Sequence, residues 1–100
     1  MTVLFPMEER TYFVYIMSSL SRVIYTGVTN NLERWAAQHK DGQPGSISAR
    51  YNVKRLVYFE RFGDICYAIS REKAIKHMYR AEKIRLIESM NPEWNDLSEE

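Results

Sequence analysis

The sequence predicts an α+β fold: a small three-stranded antiparallel sheet flanked by three helices, in the order ββαβαα. Two observations carry this. Three short runs rich in aromatic and β-branched residues read as strands, and the first two are joined by too short a link for anything but an antiparallel hairpin. Elsewhere, apolar residues recur at helical spacing, and those helices must cover the sheet.

The elements follow in order. Residues 1–10 form a loose lead-in broken by Pro6. Tyr12-Phe13-Val14-Tyr15-Ile16-Met17 is the first strand, and Ser18 to Arg22 supply turn chemistry. Val23-Ile24-Tyr25-Thr26 is the second strand, ended by Gly27. Asn30 then caps a helix running to about Lys40, with Glu33 three residues on as in a capping box. Leu32, Trp35, Ala36 and His39 share one face of that helix. Residues 41–46 are a loop containing Pro44 and two glycines. Leu56 to Phe62 form the third strand, which starts a few residues earlier. Asp64 caps a helix from Ile65 to about Tyr79, with Ile65, Ala68, Ile69, Ile75 and Tyr79 along one side. The last helix spans roughly Ala81 to Met90, and a closing loop docks Trp94. The domain is expected over 11–97, with 98–100 as a tail.

Composition narrows the function. The chain has 100 residues, 45% of them hydrophobic, which suits one small core and no more. A charged fraction of 27% argues against disorder. A single cysteine, Cys66, excludes an internal disulfide framework and a thiolate-rich zinc site. No apolar run approaches the ~20 residues of a membrane span, and the start does not read as a signal peptide. A cytoplasmic protein with reduced Cys66 and no membrane partner is expected. The net charge of +1 hides a gradient: between Arg22 and Phe62 stand seven Lys/Arg and three Asp/Glu. Tyr51 and Tyr58 interleave with that basic set, which is a modest phosphate-binding footprint or simply a solvated surface.

Four features can carry chemistry. Glu72 falls on the apolar stripe of its helix, four residues after Ala68 and three after Ile69. A carboxylate there needs a partner: a salt bridge with a nearby Arg or Lys, or a divalent metal such as Mg²⁺, which keeps much of its water. Tyr15 and Tyr25 lie on adjacent strands and meet if the register puts them on one face; otherwise they are packing residues. His39 follows Trp35 by one helical turn, and Arg34 adjoins that edge. The basic residues of the middle, Arg34, Arg50, Lys54 and Arg55 among them, can face phosphate.

Together these pieces resemble the GIY-YIG nuclease superfamily. The resemblance rests on Val14-Tyr15, Tyr25-Thr26-Gly27, Thr29 to Arg34 with His39 beyond, Arg71 to Lys76, and Asn91 to Leu97. The last two blocks point to its small single-domain bacterial members. The resemblance implies metal-dependent hydrolysis of DNA phosphodiesters with Mg²⁺ or Mn²⁺. It implies that Tyr25 activates the attacking water or acts on the phosphate, that Tyr15 supports it by hydrogen bonding, and that Glu72 binds the metal. By the same token His39 matches a residue of proton transfer or tyrosine orientation, and Asn95 matches a late bracing asparagine at a longer spacing. Attack on a phosphodiester concentrates negative charge, which a metal ion and a cation stabilise while a base aligns the nucleophile.

One position departs from the pattern. The family places an essential arginine ten residues after the second-strand tyrosine, where this sequence has Trp35. The single indole N–H cannot replace a bidentate guanidinium. Losing such a donor typically costs ~2.7–4 kcal/mol, or ~10²–10³ in rate. Arg34 would have to reach back from ~100° around the helix, and Arg50 or Arg55 would have to act from elsewhere. Three functions stay open: a weakened endonuclease, a non-catalytic DNA-binding module in which Trp35 stacks on a base, and a protein-interaction domain using Trp35 as an anchor. A domain this small has little surface for long sequence recognition, so a larger partner protein could supply targeting.

Overall fold

The central strand explains the rest of the architecture. In a computed structural model describing residues 11–35 and 54–98, β1 (Tyr12–Ser18) lies between β2 (Ile24–Thr29) and β3 (Arg55–Phe62), antiparallel to both. A strand covered on both faces is apolar without alternation, and Val14 to Met17 are all buried. The 19–23 turn closes through Ser19, whose N–H donates to the Val23 carbonyl and whose hydroxyl accepts from the Val23 N–H, each at 3.0 Å.

β2 does not end at Gly27 as the sequence suggests. It runs on to Thr29, with Gly27 paired to Tyr15. The glycine is there because the Tyr15 phenol lies over it: an added Cβ would stand 2.6 Å from the ring carbon bearing the hydroxyl, and closer still to the oxygen. Glycine in a strand interior here marks a close approach, not a stop.

The first helix, α1, is described over 32–35. Its cap is Asn31, one residue later than expected: Oδ1 accepts from the Arg34 N–H at 3.0 Å, and the Asn31 carbonyl accepts from Trp35 N–H at 3.1 Å. The shift places Arg34, not Glu33, third in the helix, so the expected capping box does not form.

α2 (Ile65–Lys76) is capped by Asp64, whose carboxylate accepts from the Cys66 N–H at 2.7 Å. It stops at Lys76, short of the expected Tyr79, because Tyr79 becomes the cap of α3 (Arg80–Met90) in a box with Glu82. Only Ala68 and Ile75 of α2 are buried, whereas Ile65, Ile69 and Tyr79 are exposed. The helix touches the sheet along a narrower line than the full apolar stripe implied.

The two sheet faces have separate cores. Val14, Ile16 and Tyr58 pack with Ala68, Ile75, Ile87 and Trp94 on the helix-covered face. Tyr15, Met17 and Leu56 form the other, joined by Tyr25, Leu32, Trp35, Phe59 and Leu97. Between the cores a register shift sets Ile16 opposite Tyr58 but Met17 opposite Leu56, leaving Val57 as a bulge. The Val57 carbonyl is satisfied by the buried Asn91, whose Nδ2 donates to it at 3.1 Å. The same side chain holds the closing turn: Nδ2 donates to the Asn95 carbonyl at 2.7 Å, and Oδ1 accepts from the Asn95 N–H at 3.0 Å. The C-terminal segment then covers the edge of β3. Asp96 accepts from the Leu56 N–H at 3.2 Å, and the Leu97 N–H donates to the Leu56 carbonyl at 2.7 Å. Trp94 docks as expected, 2% exposed.

Candidate functional site

The register resolves the tyrosine question. Tyr15 stands opposite Gly27, and Met17 opposite Tyr25, so the two tyrosines share one face as diagonal neighbours. Their ring centroids are 6.2 Å apart, tilted by 45°. Trp35, carried by the first turn of α1, also packs on Tyr15, with ring centroids 5.6 Å apart. The Tyr15 residue thus touches Tyr25 and Trp35, lies over Gly27, and is 2% exposed.

The electrostatics of that pocket keep Tyr15 neutral. Burial pushes its hydroxyl far above the ordinary tyrosine range, and the adjoining Tyr25 and the Glu72 carboxylate push it further. The Trp35 N–H opposes the rise. A neutral phenol keeps its proton and can donate a hydrogen bond.

Glu72 reaches the site from α2, which packs against both β1 and β2. Its side chain is 12% exposed, and it forms an i,i+4 ion pair with Lys76, the salt bridge that its place on the stripe allowed. Sequence reasoning did not anticipate the neighbouring clamp. Arg71, the residue before Glu72, makes a forked contact with Glu60 of β3: Nε donates at 3.0 and 3.2 Å, and Nη2 at 3.0 Å. Tyr58 donates its hydroxyl to the same carboxylate. Burial works to raise the Glu60 carboxyl, but Arg71 and Tyr58 together hold it below its usual range. The Tyr58 hydroxyl, by contrast, is pushed up to about 12 by burial and by Glu60. The clamp ties α2 to β3 next to Glu72. A long-range pair between positions 60 and 71 leaves no periodic trace in sequence.

The other sequence candidates are dispersed. Arg34 and Lys54 are exposed. Arg55 is half-buried and donates through Nη1 to the Trp94 carbonyl at 3.3 Å, so it is engaged in holding the C-terminal segment. Asn95 has an exposed side chain and is held by its backbone to Asn91. His39 and Arg50 lie outside the described residues. The structure therefore gathers Tyr15, Tyr25, Trp35 and Glu72, and leaves Asn95, Lys54 and Arg55 outside that group. Among the described residues, no three His, Cys, Asp or Glu side chains converge as a metal site. No described helix is long and apolar enough to cross a membrane.

Known proteins resemble this chain in sequence and in fold. The family model of the GIY-YIG catalytic domain matches residues 11–85. A UPF0213 protein of Natronomonas pharaonis is 37% identical over 76 residues, spanning 76% of this chain and 89% of its own. One of Syntrophus aciditrophicus is 39% identical over 83 residues, spanning 81% and 93% respectively. The solution NMR structure of a UPF0213 protein from Bacillus halodurans shares the fold with a TM-score of 0.56 at 24% identity, covering 86% of this chain and 92% of that one. The match of a catalytic-domain pattern across three quarters of the sequence, on the strands and helices that bring the two tyrosines and Glu72 together, places this chain in the GIY-YIG family, among its UPF0213 members.

Proposed function

We propose that this domain binds DNA and hydrolyses its phosphodiester bonds in a metal-dependent reaction that is slow because Trp35 stands where a catalytic cation belongs. The observation that carries the reading is the grouping of Tyr15, Tyr25 and Glu72 with Trp35 of the first turn of α1. In this reading the neutral Tyr15 orients Tyr25, and the half-buried Tyr25 hydroxyl aligns the attacking water or the scissile phosphate. Glu72 holds Mg²⁺ or Mn²⁺. The donor set fits such an ion: one hard carboxylate suits a cation that keeps most of its water. The partner of Glu72 in this structure is an exposed lysine, a cation that is readily exchanged. When bound, the metal supplies charge stabilisation to the phosphate oxygens. Trp35 gives the phosphate no guanidinium fork, since its single N–H is buried and acts on Tyr15.

The test is cleavage of labelled DNA, linear and branched, with and without Mg²⁺. Slow cleavage that needs the metal and disappears in Tyr25→Phe and Glu72→Gln is the expected result. Cleavage that persists in both variants would remove these residues from their roles. Salt-sensitive binding with no cleavage under any metal would favour a second reading, a DNA-binding module.

A further inference from the structure

A second basic site lies on the opposite side of β2 from Tyr25. The 19–23 turn and the start of α3 enclose an open cavity of about 440 Å³, lined by Ser21, Arg22, Val23, Ile24, Arg80 and Lys83. Three of its six lining side chains are cationic. Among the described residues their charges are not balanced: the described ion pairs are Glu60–Arg71 and Glu72–Lys76. The nearest α3 carboxylates are engaged elsewhere, Glu82 accepting from the Tyr79 N–H at 2.9 Å and Glu88 from the Trp94 indole at 2.9 Å.

The cations are also held in place. Arg22 adopts a left-handed backbone, with φ of 68°, which is uncommon for a residue with a side chain. Its guanidinium lies 4.4 Å from the centroid of the buried Trp94 ring, and its carbonyl accepts from Arg80 Nη2 at 2.7 Å. A strained turn residue fixed by a ring below and a second arginine beside it forms a rigid anion receptor. Its position relates it to the candidate site. Ile24 lines the pocket and Tyr25 follows it on the other face of β2. β2 is an edge strand, so one polyanion can pass from the Tyr25 face over that edge.

We propose that Arg22, Arg80 and Lys83 bind a backbone phosphate of the DNA whose neighbouring segment lies on Tyr25. The inference rests on the DNA reading above and adds to it a contact point away from the chemistry. The test is fluorescence anisotropy of a labelled duplex over a range of salt, with the full chain. Arg80→Gln/Lys83→Gln should weaken binding by roughly 10-fold and lower the salt slope by about 1, since one phosphate contact contributes about 0.9. Lys83→Gln alone, which leaves the Arg80–Arg22 bond intact, should weaken binding less than the double variant and lower the slope by no more than about 1. Arg85→Gln, on the exposed remainder of α3, should leave binding unchanged. Affinity and slope unchanged in both pocket variants, with wild type binding DNA, would overturn this site and leave the function standing. Equal weakening by Arg85→Gln would also overturn it, because the effect would then be general charge. Failure of the wild-type chain to bind any DNA would overturn both.

Discussion

Replacing Gly27 by alanine should destabilise the protein, although alanine usually improves a strand. The new Cβ would stand 2.6 Å from the Tyr15 ring carbon that bears the hydroxyl. Tyr15 cannot swing away freely, since Tyr25 and Trp35 pack on it and only 2% of its surface is exposed. Forcing a methyl into a filled core costs ~1–3 kcal/mol. The conformational benefit of losing a glycine returns ~0.5–1 kcal/mol. The net loss is about 1–2 kcal/mol, which for a domain of this size lowers Tm by roughly 5–15 °C. Urea unfolding followed by circular dichroism measures it. Repeating the substitution in a Tyr15→Leu background isolates the cause: there the alanine should be neutral or stabilising, giving a coupling of about 1–3 kcal/mol. A neutral Gly27→Ala in the wild-type background would show that the ring has room, and that the close approach does not explain the glycine.

Further outcomes follow from the fold. Glu60→Gln should cost about 1–3 kcal/mol at neutral pH by breaking the fork with Arg71. Because the Glu60 carboxyl is held below its usual range, that stability is present above the unfolded-state value near 4.5 and is lost as pH falls through the lower folded value. Thermal melts of wild type and variant should therefore converge in acid, and a constant gap would contradict the ion-pair account. Asn91→Ala should cost at least 2 kcal/mol, since it strips the bulged Val57 carbonyl and both anchors of Asn95 at once. Chemical denaturation gives the number, and a loss within ~0.5 kcal/mol would mean that water replaces the side chain without penalty.

The three strands, the hairpin and the order of the elements were legible because each depends on local pattern, whereas the shared face of Tyr15 and Tyr25 waited on the register. An unbroken aromatic and β-branched run marks β1 as a strand, and a short turn forces β2 back along it; the structure is what puts β1 in the middle. What failed was the meaning of single residues whose reason lies across the sheet. Gly27 reads locally as a stop, and only the Tyr15 ring above it shows why it is a glycine inside a strand. Asn30 and Asn31 are equivalent as caps on paper, and the structure chooses the second. The Glu60–Arg71 clamp and the pocket of Arg22, Arg80 and Lys83 join residues far apart in the chain. Counting charge by segment even conceals the pocket, because Arg80 and Lys83 fall in a stretch where acidic residues outnumber basic ones. In the candidate site, the Glu72 carboxylate stood out on an apolar stripe, but its company became visible only once β1, β2 and α2 were packed.

The central claim is that the catalytic framework is built and one position, Trp35, limits it. The direct measurement is the initial rate of Mg²⁺-dependent DNA cleavage by wild type and Trp35→Arg, each confirmed to be folded. Restoring a guanidinium should raise the rate by ~10²–10³, the usual worth of one transition-state donor, and adding Glu72→Gln should abolish the gain. Equal rates in wild type and Trp35→Arg, whether both fast or both nil, would contradict the account.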